Sequence, residues 1–568
     1  MNSRRLRRLW WQVRYLRPVQ VAQRLHLRMR PSGRLAGVSA PAWCSPPGHW
    51  LEPAPLPACW REANVFCLLG SEVAWSAGTV WRDRSLGKKT LMELNACNWL
   101  WNTGPEWGTR LMEDWVASQR LPEGPGWHPY MTSQRIVNWI KWGLMAGGLS
   151  EVLRGSLAQQ LRFLEPRLAF DECDHKLINN AKALLFAGLC LADPRASHWR
   201  ARGLRLLARY LPRLVLSDGG YAGRSPMYHN ALLLDLLDVV NLLRAFREPL
   251  PDQLEARVTA ALRWSRALCH ADSVPALFND AALDVVPATS RLVAYGRRLG
   301  LPEEGSGGEI GSCWLPASGV GRLCAGQALL LADVGPPGPD QAASHGHAGT
   351  LGFEFSLGQQ RILVDTGLST YEDLRYRAYE RSTAAHNTLV VDGKNSSDVW
   401  GLFKLGRRAR IVDTGYEEQA CGGRLYAAHN GYSRRRADLV HRREWSLGAG
   451  CLALEDQLEG AGEHVVCVYF HLHPSLNVDI ESPRQARISL PDGVTLALTV
   501  DSRLALSVEE SYCSARFDDR QPNKVLRAEA RLTLPVSLHH ELTGWVGPAP
   551  SQGSRERPWP TVDTPPQA

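Results

Sequence analysis

The stretch SHGHAGTLGFEFSLGQQRILVDTG (344–367) decides how the chain divides. After its two histidines it alternates apolar with small or polar residues, the period-two signature of a strand. Upstream, from about residue 62, the pattern is different. MTSQRIVNWIKWGLMA (131–146), LINNAKALLFAGLCLA (177–192), HWRARGLRLLARYLPRLV (198–215), MYHNALLLDLLDVVNLLRAF (227–246) and QLEARVTAALRWSRALCH (253–270) carry apolar residues at helical spacing. Short polar or Gly/Pro breaks separate them, which predicts an antiparallel helical array closing on itself as an incomplete toroid. Near residue 310 the period switches, and strand-like runs such as HVVCVYFHLHP and RAEARLTLPV follow one another to about residue 545. The expected architecture is therefore α+β and multidomain, an N-terminal α/α toroid followed by a C-terminal antiparallel β-sandwich. The expected boundaries are a basic segment and linker (1–61), the toroid (62–305), the sandwich (306–545) and a Pro-rich disordered tail (546–568).

The bulk numbers bound the partners. The 568 residues carry a formal charge of +8, but residues 1–31 hold nine arginines and no acid. The rest is close to neutral, which argues against a nucleic-acid surface and leaves any anion recognition to a local cleft. Leu6, Leu9, Val13 and Leu16 share one helical face among those arginines. Such a helix suits a peripheral contact with an anionic membrane, and equally packing on the protein body. The start of the chain lacks the apolar core of a signal peptide. Thirteen cysteines without a CxxC pair argue against a disulfide framework or a cysteine zinc site. The 21 tryptophans read mainly as core, although indole faces also stack well on sugar rings.

Four clusters carry candidate chemistry. In the opening stretch, His345 and His347 stand two apart and share a face if the segment is a regular strand, unless Gly346 marks a bulge. Asp365 ends the next strand and His386 precedes another. Two neutral imidazoles and a carboxylate form a common ligand set for Zn²⁺ or a similar ion, although each histidine alone also reads as structural. In DGGYAGRSPMYHN (218–230), Ser225 reads as an N-cap and Pro226 as the first helical residue. Tyr228 and His229 then fall in the first turn, where the helix dipole favours negative charge and helps a tyrosine lend its proton. In DHKLINN (174–180), His175, Lys176, Asn179 and Asn180 are polar groups at the entrance of an apolar helix, where the asparagines need partners. In GWHPYMTSQRIVNWIKW (126–142), Tyr130, Ser133, Arg135 and Asn138 form a polar side, and arginine suits a carboxylate.

Taken in order, WHPYMTSQRIVNW, INNAKALLFAGL, DGGYAGRSPMYHNALLLDLLD, SHGHAGTLGFEFSLGQQRILVDTG and AAHNTLVVDG resemble the heparinase II/III-like family of polysaccharide lyases. The opening YLRPVQ resembles members found beside bacterial surface-polysaccharide genes. The resemblance implies the toroid-plus-sandwich fold and β-elimination on a uronic acid-containing glycan, with loss of the C5 proton and departure of the C4 oxygen. By resemblance Tyr228 is the acid, and also the base in a syn elimination. His345 is the partner base or neutralises charge, and Asn179, Asn180 or His175 help bind the carboxylate. Tyr130, Arg135, Asn138, Arg224 and His229 are the implied substrate-binding residues. His347, Asp365 and His386 resemble the family's ligands for one structural divalent ion, Zn²⁺ first, with Ca²⁺ or Mn²⁺ as alternatives. Many members have an Asn-His pair and a Glu where this chain reads DHKLINN, which puts the substrate class in question.

The competing expectations are a uronyl C5-epimerase of the same fold and a non-catalytic glycan-binding factor in exopolysaccharide or capsule assembly. A hydrolase needs two opposed carboxylates across the scissile bond, and Asp235, Asp238, Asp280 and Asp284 form no obvious pair. The resemblance implies the cell envelope or periplasm. The N-terminus favours a cytoplasmic or inner-membrane-associated site. The sequence leaves the oligomeric state open.

Overall fold

The computed structural model describes residues 3–29, 38–57, 59–61, 64–119, 122–302, 310–419, 422–433 and 438–545. The tail expected to be disordered, 546–568, lies outside the described residues, as does part of the expected linker. Two helices open the chain, α1 (Ser3–Arg14) and α2 (Pro18–Met29). The toroid follows as α3 (Lys88–Ala96), α4 (Pro105–Ser118), α5 (Pro129–Ala146), α6 (Glu151–Leu164), α7 (His175–Cys190), α8 (Ala196–Leu214), α9 (Pro226–Ala245), α10 (Leu254–Ala267) and α11 (Thr289–Arg298). The helical period in the sequence located α5 and α7–α10 closely. It did not single out α3, α4, α6 or α11, all four of which have only nine to fourteen residues.

Helices α7 and α9 are apolar nearly all round because they line the inside of the array and are covered on both sides. Their leucines and alanines join one continuous core with Trp81, Trp99, Trp115, Trp139 and Trp199. The tryptophans therefore serve packing, and each carries a large apolar area out of water.

Ser225 caps α9 by accepting a hydrogen bond from the Tyr228 amide at 3.2 Å, and Pro226 fills the first turn. This is the arrangement the sequence predicts. It fixes the Tyr228 side chain at the mouth of the toroid.

The C-terminal part is a sandwich of two antiparallel sheets. The smaller is a meander of β1 (Cys313–Leu315), β2 (Val320–Ala325), β3 (Ala328–Asp333), β4 (Gly352–Leu357) and β5 (Gln360–Leu363) in sequential order. The larger is built on two long strands, β10 (Cys451–His471) and β15 (Asp519–Thr543). It also holds β6 (Leu389–Val391), β7 (Ile411–Gln419), β8 (Gly422–His429), β9 (Val440–Gly448), β11 (Asn477–Ser482), β12 (Gln485–Ser489), β13 (Thr495–Thr499) and β14 (Ala505–Arg516). Burial alternates along β9, with Trp445 and Leu447 turned inward against Leu323, Phe353 and Phe355 of the smaller sheet.

The segment from His345 to Gly349 is not a strand. It is an irregular loop, and β4 begins only at Gly352. Gly346 has a packing reason of its own, since a Cβ there would stand 2.0 Å from the Pro337 carbonyl oxygen. With that atom absent, the loop lies flat on 337 and Arg381 donates to the Gly346 carbonyl at 3.0 Å.

The N-terminal helices pack by one face across both domains. Arg8 forms a two-pronged ion pair with Asp398, and buried Gln20 donates to the carbonyls of Asp171 and Gln341. The opposite side leaves Trp10, Val13, Val21, Leu25 and Met29 exposed. No described helix is long and apolar enough to cross a membrane.

Candidate functional site

A cleft of about 330 Å³ lies where the mouth of the toroid meets the sandwich. Tyr130, Asn138, Lys176, Asn179, Tyr228 and His345 line it, with Lys89, Glu93, Tyr371 and Phe403. Six residues from four separate sequence clusters are thus brought to one cavity. No tryptophan lines it among the described residues. Its aromatic wall is Tyr371 and Phe403, with ring centroids 5.4 Å apart.

Tyr228 and His345 form the centre. Their rings lie 4.2 Å apart, and the Tyr228 hydroxyl shares a 2.8 Å hydrogen bond with the Tyr371 hydroxyl. Burial raises the Tyr228 phenol above its ordinary range, with the nearby Asp280 charge adding to it. The dipole expected to ease proton loss does not prevail over desolvation, so Tyr228 keeps its proton at neutral pH.

His345 is fixed from behind. Its Nδ1 lies 2.8 Å from Oδ2 of Asp280. Burial would raise the Asp280 carboxyl, but the Arg377 guanidinium 2.7 Å away and the two imidazole bonds hold it well below the carboxylate range. A carboxylate only accepts, so Nδ1 of His345 carries the hydrogen and Nε2 bears the lone pair. That Nε2 is buried and has no hydrogen-bond partner among the described residues. Burial, outweighing the Asp280 bond, lowers the imidazole's pKa and keeps it neutral.

His347 reaches the same carboxylate from the other side, with Nε2 at 2.9 Å from Oδ1 of Asp280. The two histidines do converge, but through the loop bend and a shared carboxylate rather than a strand face. Asp280 also accepts, through its backbone carbonyl, the hydroxyl of the α9 cap Ser225. Asp280 and Tyr371 were not found from sequence as parts of this site. Each is a single polar residue in an irregular segment, and only long-range partners reveal it.

His386 directs Nδ1 to Oδ2 of Asp365 at 2.7 Å, and the His347 and His386 rings lie 5.5 Å apart. Burial raises the Asp365 carboxyl. The remaining nitrogens, Nδ1 of His347 and Nε2 of His386, are buried and have no hydrogen-bond partner among the described residues. With their other nitrogens facing carboxylates, both present lone pairs, the form in which imidazole binds a metal. Among the described residues no three side chains stand ready as a complete ligand set, because Asp365 faces His386.

The other expected residues have structural surroundings. His175 lies behind Tyr228, stacked at 4.5 Å and facing the Tyr221 hydroxyl, with burial pushing its pKa down to about 3. Asn180 accepts from the Ala169 amide and donates to Ser133. Arg135 is fully buried inside the toroid, donating to Gln160 and the carbonyls of Asn95 and Gly126 over the Trp115 ring. It grips the protein, not a ligand. His229 faces the Ala261 carbonyl, and Arg224 the Ala317 carbonyl. Neither lines the cleft.

A family model described as "Heparinase II/III-like, C-terminal" matches residues 310–556, and one described as "Heparinase II/III N-terminus" matches residues 149–293. The "FtsZ-localized protein C" of Caulobacter vibrioides is 27% identical over 411 residues, 68% of each chain. The "Heparin-sulfate lyase" of Bacteroides stercoris is 23% identical over 324 residues, 53% of this chain and 45% of that one, so the match spans less than half the lyase's length. Among solved structures, a heparinase III superposes with a TM-score of 0.66 at 14% identity, over 93% of this chain and 89% of that one. A heparan sulfate lyase from Pedobacter heparinus gives 0.58 at 15% identity, over 93% and 88%. These superpositions establish the fold.

Beneath the cleft, α5, α7 and α9 meet in a buried charge network. Lys182 donates to Asp235 at 2.8 Å and to Asp238 at 2.7 Å, and Lys141 donates to Asp238 at 2.8 Å. Burial alone would raise the Asp238 carboxyl, but the two ammonium groups outweigh it and lower the pKa. A depressed folded pKa contributes stability that is present above the unfolded value of about 3.9 and is lost as pH falls through the folded value. Asp238→Asn should lose about 3–5 kcal/mol in urea denaturation at neutral pH, because it leaves two buried ammonium groups with one carboxylate. The gap from the wild type should narrow as pH falls below about 4.

Proposed function

This chain belongs to the heparinase II/III-like family, and we propose that it is a polysaccharide lyase acting on a uronic acid-containing glycan by β-elimination. The observation that carries the reading is the buried, partnerless Nε2 of a neutral His345, locked by Asp280 against the protonated Tyr228. A base and an acid with opposed protonation at one cleft are what such an elimination requires.

In this reading Nε2 of His345 takes the C5 proton of the uronate. The C5–H electron pair forms the C4=C5 double bond, and the C4–O bond breaks. Tyr228 supplies the proton to the departing oxygen, and Tyr371, by donating to Tyr228, steadies the phenolate that results. Proton transfer from His345 back to Tyr228 restores the resting state. Tyr130, Asn138 and Asn179 line the walls along which the glycan would lie.

One divalent ion belongs to the same proposal, held by Nδ1 of His347 and Nε2 of His386, with Asp365 orienting His386 from its Nδ1 side. The nitrogen-rich donors favour Zn²⁺. Bound there, it would supply rigidity to the loop carrying His345. The protein should purify with zinc, and chelation should lower the melting temperature of the wild type but not of His386→Ala. A metal-free wild type whose melting is indifferent to added zinc would remove the ion from the account.

A second reading is a non-catalytic glycan-binding factor. It is favoured by one contact: Asn179, an expected carboxylate-binding residue, points its amide nitrogen at Asp235 (3.1 Å) and accepts from Ser133 at 2.6 Å. The likeness to a protein named for its localization with FtsZ fits that reading too. The test is the ultraviolet absorbance of the unsaturated uronate on a panel of acidic glycans that includes the host's own. Tyr228→Phe should lower the rate by about 10²–10⁴-fold while leaving glycan binding intact. Binding without absorbance would favour the factor, or an epimerase if deuterium enters C5 from heavy water.

A further inference from the structure

A β-elimination at C5 demands that the substrate carboxylate be neutralised, because the carbanion forms next to a group already charged. The residues expected to do this do not stand free. The Asn179 amide is held between Ser133 and Asp235, so a carboxylate approaching it would face another carboxylate. The Lys176 ammonium is taken by Glu172 and by Asp174, at 2.9 Å from the latter. Lys141 and Lys182 are paired with the acids below the cleft.

Lys89 differs from all of these. Its ammonium lines the cleft 5.5 Å from the Tyr371 ring centroid and 5.2 Å from that of Phe403, and no carboxylate of the described residues stands within ion-pair distance. Its backbone is anchored, since the Lys89 amide donates to Glu372 at 2.9 Å across the domain boundary. Glu372 directly follows Tyr371 in the chain, so the anchor fixes Lys89 relative to the Tyr228 partner. Burial lowers the Lys89 pKa and the Lys176 charge adds to that, against Glu93 and Glu172, which raise it.

We propose that Lys89 is the residue that binds and neutralises the uronate carboxylate in this cleft, in the place the family resemblance gives to Asn179, Asn180 or His175. The assignment rests on the lyase reading for its catalytic half; the anion contact stands on the cleft geometry alone. Lys89 lies outside both spans matched by the family models, in a helix the sequence pattern did not single out. Lysine suits the role as a compact point charge on a flexible stem, with three donors.

The test compares full-length wild type, Lys89→Met and Lys89→Arg on an acidic glycan and on the same glycan with its carboxyl groups reduced. Calorimetry reads binding, and absorbance reads product. Lys89→Met should weaken the acidic glycan about 10-fold or more, the loss of one charge-assisted contact, and leave the reduced glycan unchanged. It should also lower kcat, with part of both losses restored in Lys89→Arg. Wild-type affinity in Lys89→Met, or an equal loss on both glycans, overturns the assignment. If the wild type binds without forming product, the lyase reading fails while the two-glycan comparison still decides Lys89 as the anion contact.

Discussion

The carboxylate of Asp280 is the point on which the site depends. It sits between His345, His347 and Arg377, with no exposure to water. Its own backbone carbonyl takes the hydroxyl of the residue that caps α9, and its amide donates to the His345 carbonyl at 3.1 Å. One residue therefore fixes the helix start that carries Tyr228 and the loop that carries His345. A buried carboxylate of this kind is tolerable only because each oxygen is met by donors, and removing it would leave the Arg377 charge with Glu380, 4.0 Å away, as its remaining counterion.

From that constraint the protonation states follow. Asp280 stays ionised, so His345 keeps its hydrogen on Nδ1 and bears its lone pair on Nε2. Burial keeps the same imidazole neutral and the neighbouring phenol protonated. Two groups of ordinarily well separated pKa, one imidazole unprotonated at Nε2 and one phenol protonated, are thereby set against one small volume. The domain boundary supplies the remaining parts: Tyr371 and Phe403 from the sandwich side, and Lys89 from the toroid, pinned together by Glu372.

The fold was legible because burial imposes different periods on helices and strands. The amphipathic spacing in 198–215 and the near-continuous apolar run in 227–246 read directly as α8 and α9. Ser225 and Pro226 announced the helix start that places Tyr228, and His345 and Asn179, read from separate motifs, both line the cleft. The misreadings share a cause. Whether His345 to Gly349 is strand or bulge stayed open because alternation is a local signal, whereas the close approach of 337 to Gly346 is not. Arg135 looked like a carboxylate grip because its chemistry suits one, but its partners are the Gln160 side chain and the carbonyls of Asn95 and Gly126, which only the folded toroid brings to it. Asp280, Tyr371 and Lys89 carry no periodic signal at all. Their roles exist only through contacts across the domain boundary.

The most direct measurement of the account is the protonation and tautomer of His345, read from the imidazole nitrogen shifts of histidine-labelled protein and assigned with His345→Gln. A neutral ring at neutral pH, with its hydrogen on Nδ1 and an unprotonated Nε2, is the predicted result. A doubly protonated ring, or a hydrogen on Nε2, would contradict the base assigned here and the role of Asp280 that sets it.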